Sequence, residues 1–142
     1  MIFFTYSNKD FKDVEKIYFL LIRYPIGDIV FARGKLGLGI DFENAIISAI
    51  RSAKTIVYFL SENSSFDKES GFLNKERQLI MDRLRFDPNF NFLLVEIGYG
   101  AFLPDQFKWR RRISLSEELE FSLDLSSTSA FHELVNTLII MK

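Results

Sequence analysis

Short apolar runs alternate along this chain with longer segments in which apolar residues recur every three or four positions. The short runs are typical of buried strands, and the longer segments have the period of amphipathic helices. The predicted strands span residues 2–6, 28–32, 55–60, 92–97 and 112–115. The predicted helices span residues 11–21, 42–53, 71–86 and 131–140, while residues 117–128 are Ser-rich and show no clear pattern.

This order of elements predicts an α/β fold. Continuous apolar strands are typical of sheets that helices cover on both faces, and strands that alternate with helices pair in parallel. Right-handed crossovers then give a doubly wound, flavodoxin-like parallel sheet of five strands. With 142 residues, no internal repeat and no linker, we expect one domain spanning residues 1–142.

One acidic residue interrupts the apolar face of the third predicted helix. At about 100° per residue, Phe72, Leu79 and Ile80 form an apolar stripe, and Glu76 falls in its middle. A solvated glutamate would occupy the opposite face. Because this helix follows the buried strand 55–60, the carboxylate is expected near the carboxyl end of a strand, where open α/β sheets bind ligands.

Composition excludes several kinds of site. The chain has no cysteine, which excludes a disulfide framework, a thiol nucleophile and thiolate-bound metal. A histidine-based metal site or a Ser/His/Asp triad is hard to build from a single histidine, so we expect His132 to have a capping or surface role and expect no metal. The net charge is -1 and the cations are scattered, so no nucleic-acid partner is expected; the basic run 108–112 is interpreted as a solvated edge.

The sequence also carries no membrane signal. No apolar run approaches the roughly 20 residues of a membrane span. Residues 1–6 are too short for the apolar region of a signal peptide. We therefore expect a soluble, cytoplasmic protein with no membrane partner.

A glycine-rich basic loop follows the second predicted strand. Segment 33–39 carries Arg33, Lys35 and three glycines, so it is unsuited to regular structure. It contains neither a terminal Gly-Lys-Ser/Thr nor a G-x-G-x-x-G pattern. Residue chemistry alone therefore favours a flexible loop over a nucleotide-binding loop.

Several short motifs, in the right order, resemble those of the TIR domains (Toll and interleukin receptor homology). Residues 3–7, Phe-Phe-Thr-Tyr-Ser, with Asp10 after them, resemble the first box of the family, with Thr in place of its Ser. Residues 39–53 resemble the end of the BB loop and the helix behind it, and Ser61 resembles the Ser that closes strand three.

A fourth motif contains the acid on the helix. Ser70, Phe72 and Glu76 fall on the family pattern Ser-x-Trp-x-x-x-Glu, with Phe in place of Trp. The substitution keeps a ring for stacking but loses the indole N–H. The loop also lacks the Pro that is common in signalling adaptors, which makes adaptor-type docking less favoured.

The resemblance implies strand order 2-1-3-4-5 and, as in many members, an NAD glycohydrolase that needs no cofactor because NAD is its substrate. It implies that Glu76 is catalytic. It further implies that the substrate contacts Tyr6, Ser7, Arg33, Lys35, Phe42 and Phe72. The resemblance also suggests a role in defence or cell-death signalling, with activity that homotypic self-association switches on.

Cleavage of the nicotinamide–ribose bond passes through a transition state with oxocarbenium character, which a carboxylate beside the ribose stabilises. Nicotinamide leaves as a neutral group and needs little acid catalysis, so one carboxylate without a histidine suits the reaction. Arg33 or Lys35 would meet the pyrophosphate, and Tyr6 or Phe72 would stack on a ring. Linear and cyclic ADP-ribose both remain open as products.

Three alternatives stay open at this stage. Glu76 could pair with an arginine such as Arg77, Arg83 or Arg33 and only hold its helix in place. The domain could be a catalytically silent interaction module. A nucleoside deoxyribosyltransferase-like enzyme would also place a glutamate against a ribose on a related sheet.

Overall fold

A computed structural model describes residues 1–31, 42–68 and 71–142, without the side chains of Phe42 and Phe72. The strands are β1 (Ile2–Thr5), β2 (Ile29–Val30), β3 (Thr55–Leu60), β4 (Asn91–Glu96) and β5 (Arg111–Ser114). The helices are α1 (Phe11–Leu21), α2 (Phe42–Ser52), α3 (Gly71–Phe86), α4 (Ser116–Glu120) and α5 (Ser129–Ile140). Short 3-10 turns lie at Asn8–Asp10, Glu62–Ser64, Asp105–Phe107 and Leu125–Ser127.

The strands form one five-stranded sheet in the order β2-β1-β3-β4-β5, and every neighbouring pair is parallel. This confirms the predicted α/β, flavodoxin-like sheet. In register, Phe3 of β1 lies beside Ile56 of β3, and Thr5 lies beside Tyr58. The order reverses between β1 and β3, which places a topological switch point at the carboxyl ends of these two strands.

Two apolar clusters cover the two faces of the sheet, as expected for a doubly wound fold. One cluster packs α1 and α5 against one face, with Phe4, Val57 and Leu93 from the strands. The other packs α2 and α3 against the opposite face, with Phe3 and Ile56. Successive strand residues alternate between the clusters because side chains on a strand have a period of two.

Two elements differ from the sequence-based predictions, and one prediction lies outside the described residues. Only two residues of β2 pair with β1, so this edge strand is shorter than the predicted 28–32. The segment 117–128, which shows no clear pattern in the sequence, contains most of the five-residue helix α4 and one 3-10 turn. The residues of the glycine-rich loop 33–39 lie outside the described part of the chain.

Two 3-10 turns are joined at the carboxyl edge of the sheet. The turn after β1 ends at Asp10, whose carboxylate accepts hydrogen bonds from the Ser61 hydroxyl at 2.5 Å and from the Asn63 amide at 2.9 Å. Ser61 and Asn63 belong to the segment after β3. Asp10 therefore ties together the chain ends of the two central strands, beside the switch point.

In the described residues, none of the helices combines the length and the apolarity that crossing a bilayer requires.

Candidate functional site

Glu76 lies on the buried face of α3. Leu73 comes one turn before it and Ile80 one turn after it, and both pack in the cluster between α3 and the sheet. The side chain of Glu76 is only 8% exposed. The structure thus confirms the inward orientation that the helical period predicts, and a carboxyl group in this position loses most of its hydration.

Burial is the main electrostatic influence on this acid. It raises the pKa of Glu76 to about 8, because the charged form is poorly solvated. The Thr5 hydroxyl and the nearby Arg77 guanidinium each lower this pKa, but by less than burial raises it. The Thr5 contact falls short of ordinary hydrogen-bond geometry.

Arg77 follows Glu76 in sequence but is committed to other partners. Its guanidinium donates to the carbonyl oxygens of Ser65 and Lys68, both at 2.8 Å, and to Asn74 Oδ1 at 2.7 Å. It also lies 5.5 Å from the ring centre of Phe66. The side chain is 6% exposed, so it acts as a buried clamp between α3 and the segment after β3.

Arg83 is also engaged away from the acid. It donates to the carbonyl oxygens of Ile50 and Ala53 at 2.8 and 2.5 Å, and it stacks 4.1 Å from the ring centre of Phe90. Among the described residues, Glu76 forms no ion pair. Two of the three arginines proposed as its structural partner are therefore excluded, and the third, Arg33, lies outside the described residues.

Tyr58 of β3 is a titratable residue on which the charge of Glu76 acts. Its hydroxyl donates to the Ser64 carbonyl at 2.5 Å. Burial raises the pKa of Tyr58, and the charge of Glu76 adds to that rise, so the phenol stays neutral. Sequence reasoning missed this residue, although strand alternation places it on the same face of the sheet as Thr5.

The predicted substrate-contacting residues are distributed unevenly. Tyr6 packs against Phe11 and Phe31, with ring centres 6.3 and 6.2 Å apart, in the cluster on the face opposite Glu76. Ser7 is buried and caps the turn after β1, where its hydroxyl accepts from the Lys9 N–H at 3.4 Å. This placement gives no support to a stacking role for Tyr6, because residues that are adjacent on a strand point to opposite faces.

Other predicted contacts lie outside the described atoms. Phe42 begins α2 and Phe72 lies in the first turn of α3, so their backbones are placed but their side chains are not. Arg33 and Lys35 lie in the undescribed segment. An ion pair between Lys75 and Glu43 joins α3 to α2, the two helices whose first turns carry these phenylalanines.

The remaining basic and histidine residues do not contribute to this site. The run 108–112 is engaged along its length: Lys108 with Asp105, Arg110 with the Pro88 carbonyl, Arg111 with Glu133 and Arg112 with Glu96. Trp109 in the same run is 91% exposed. His132 lies on the exposed surface of α5, and no cluster of potential metal ligands occurs within residues 1–31, 42–68 and 71–142.

These groups define a site around one acid at the carboxyl end of β1, next to the middle strand β3. Glu76 offers a carboxyl group that burial keeps protonated at neutral pH and that a nearby positive charge would ionise. The neighbouring polar groups Tyr58 and Arg77 are occupied by backbone carbonyls. The acid is therefore the chemically available group of this cluster.

Comparison with known proteins supports the fold. No family model matches the sequence, and no curated protein sequence matches it. Among solved structures, the chain is similar to one described as a prokaryotic SEFIR domain, with 17% sequence identity and a TM-score of 0.62 over 96% of this chain and 90% of that one. At this identity the likeness concerns the fold alone. The chain thus has the fold of a SEFIR domain, which is TIR-like, and carries a buried glutamate near the end of β1.

Proposed function

We propose that the protein is an NAD glycohydrolase of the TIR type, with Glu76 as its catalytic residue and NAD as its substrate. The observation that carries the proposal is a buried carboxyl group at the carboxyl end of β1 that forms no ion pair with any described residue. A carboxylate held only to secure a helix would be expected to have such a partner.

The electrostatics suit a cationic substrate. The nicotinamide ring of NAD carries a positive charge, and a cation within about 4–6 Å favours the ionised form of a carboxyl group. Binding would therefore lower the pKa of Glu76 from about 8 and produce the carboxylate in the complex. This charge then stabilises the oxocarbenium character that develops on the ribose as the glycosidic bond breaks.

The reaction needs little else from the protein. As the bond between the anomeric carbon and the ring nitrogen breaks, its electron pair neutralises the nicotinamide, which departs. Water then adds to the anomeric carbon and loses a proton, which gives ADP-ribose. If an adenine nitrogen adds instead, the product is cyclic ADP-ribose.

Substrate contacts beyond Glu76 are part of the proposal. Phe72, one turn before Glu76 on α3, would stack on a ring, and Phe42 begins the neighbouring helix. Arg33 and Lys35 would meet the pyrophosphate. We also propose that subunits self-associate so that a neighbouring loop completes the pocket, and that the setting is defence or cell-death signalling in the cytoplasm.

The test is nicotinamide release from NAD at high protein concentration. Glu76→Gln is expected to lower the rate by at least about 10²-fold, because the amide cannot carry the stabilising charge. Glu133→Gln is the matched control, since Glu133 is an exposed helical glutamate on α5 that pairs with Arg111. Wild-type turnover in Glu76→Gln would remove this residue from the mechanism, and base release from nucleosides but not from NAD would favour a deoxyribosyltransferase-like enzyme.

A catalytically silent signalling module is the second candidate. It is favoured by two large rings on the surface, Trp109 with 91% and Phe86 with 89% of its area exposed, because such residues often mark protein contacts. Absence of nicotinamide release from protein that sedimentation shows to be assembled would favour this candidate over the enzyme.

A further inference from the structure

Thr5 occupies a special position in the sheet. It is the last residue of the interior strand β1, and it lies in register beside Tyr58 of β3. Strand alternation directs its side chain to the same face as Phe3, which is the face that α3 covers. The residue is fully buried, so its hydroxyl cannot be satisfied by bulk water.

The Thr5 hydroxyl lies close enough to the Glu76 carboxyl to lower its pKa. Its Oγ1 makes no hydrogen bond of ordinary geometry within the described residues. A buried hydroxyl left in this state costs free energy, whereas one that donates to an ionised carboxylate forms a strong, charge-assisted bond. The pair is therefore better satisfied when Glu76 is ionised than when it is protonated.

The other ionisable groups near Glu76 are committed elsewhere. Arg77, on the same helix, donates to the carbonyl oxygens of Ser65 and Lys68. Tyr58, from β3, donates to a backbone carbonyl, and Asp10, from the turn after β1, accepts from Ser61 and Asn63. Unlike these three groups, Thr5 has a polar side-chain atom that no hydrogen bond in the described residues occupies.

We propose that Thr5 is the positioning residue of Glu76: its hydroxyl donates to the ionised carboxyl and holds it at the carboxyl end of β1 when substrate is bound. The inference rests on the proposed function only for its kinetic consequence. The contact itself is a property of the fold and can be measured without any substrate.

Removal of the hydroxyl tests the proposal. Thr5→Val keeps the shape of the side chain, and Thr5→Ala and Thr5→Ser form a second pair that differs only by the hydroxyl. Thr137→Val is the matched control, because Thr137 is also a buried threonine without an ordinary hydrogen bond, but it lies on α5 against the opposite face of the sheet. The primary measurement is the NMR titration of the Glu76 side-chain carboxyl carbon, assigned by its loss in Glu76→Gln.

A hydrogen bond to the charged form lowers a carboxyl pKa, so its loss should raise that pKa. We expect the titration midpoint of Glu76 to rise by about one pH unit in Thr5→Val and Thr5→Ala. It should stay near the wild-type value in Thr5→Ser and Thr137→Val. Because kcat/KM follows the ionisation of Glu76 in the free enzyme, even when the proton leaves on substrate binding, kcat/KM for NAD at pH 7 should fall about tenfold in Thr5→Val and converge with wild type at high pH.

The outcomes separate the two proposals. An unchanged Glu76 midpoint in both hydroxyl-free variants would overturn the role of Thr5, whether or not NAD is cleaved. If the Glu76 midpoint rises in the hydroxyl-free variants but wild-type protein never releases nicotinamide, the Thr5 contact is supported and the proposed function is wrong. If Thr5→Val does not fold, the comparison between Thr5→Ala and Thr5→Ser decides the question alone.

Discussion

At the scale of single residues, Glu76 binds a proton more tightly in the folded protein than in the unfolded chain. Its pKa is about 8 in the fold, compared with about 4.5 for an ordinary glutamate. Between these values the folded state holds a proton that the unfolded state has lost. Stability contributed by the protonated group is therefore fully present below pH 4.5 and is lost as the pH rises through 8.

This difference predicts how stability depends on pH. From pH 5 to pH 8.5, ionisation of Glu76 should lower the free energy of unfolding by a few kcal/mol, about 5 kcal/mol at most. Glu76→Gln removes the titration, so this variant should resemble wild type at pH 5 and be more stable than wild type at pH 8.5. Urea unfolding of both proteins at the two pH values measures the effect, and parallel curves would contradict it.

The sequence predicts the orientation of Glu76 correctly, but the motif resemblance does not identify which residue at the end of β1 lies beside it. A helical period over sixteen residues places the acid inward with little ambiguity, and the structure agrees. Motif resemblance alone selects Tyr6 as a substrate contact and passes over Thr5, yet the two residues are adjacent at the end of β1 and face opposite sides of the sheet. The period of two along β1 could have shown that only one of them meets α3.

At the scale of elements, α3 is held by a clamp that joins it to the segment after β3. Arg77 donates to the carbonyl oxygens of Ser65 and Lys68 and stacks on Phe66, all within a buried space. These bonds fix the segment that leads from the sheet into the helix. The clamp therefore contributes to both the stability of the domain and the placement of Glu76.

Truncation of this clamp should be costly. Arg77→Met leaves the two carbonyl groups without a donor, so we expect a loss of about 2–4 kcal/mol in unfolding free energy at pH 5, where Glu76 is protonated in both proteins. Arg85→Met is the control on the same helix, because Arg85 is largely exposed and makes only a 3.8 Å ion pair with Asp82. Its effect should stay within about 0.5 kcal/mol.

Hydrogen exchange can locate the effect. Amides of residues 62–68 should exchange faster in Arg77→Met, while those of β4 keep their protection. Equal losses of stability in the Arg77 and Arg85 variants would show that the clamp contributes nothing beyond a surface ion pair.

Regular elements were predictable where their pattern was long or their strands were buried, as for α3, β3 and β4. The clamp that Arg77 forms was not predictable. Its acceptors are backbone carbonyls of an irregular segment, and no periodic pattern in the sequence indicates a hydrogen bond between a guanidinium and a backbone carbonyl. Helix α4 was missed for a related reason, since five residues in a Ser-rich segment are too few to show a helical period.

At the scale of the whole molecule, the arginines of α3 that lie near the acid are already engaged and are not available to a pyrophosphate. Arg77 and Arg83 are bonded to backbone carbonyls, and the cations of run 108–112 are engaged with other partners. On the proposed function, the cations come from Arg33 and Lys35, either of the same subunit or of a neighbour. The choice between these two sources decides whether a single subunit can be active.

If a neighbour supplies the loop, activity should rise more steeply than in proportion to protein concentration, and two different inactive variants should complement each other. Glu76→Gln keeps the loop but lacks the acid, and the double variant Arg33→Ala, Lys35→Ala keeps the acid but lacks the cations. A mixed assembly places an intact acid beside an intact loop, so nicotinamide release should return to about a quarter of the wild-type rate when the variants are mixed equally and neighbours are drawn at random. Each variant alone should stay inactive, and sedimentation should show that both assemble as wild type does. If the mixture stays inactive although it assembles, each subunit completes its own site, and the dependence on concentration must then come from a change in conformation within the subunit.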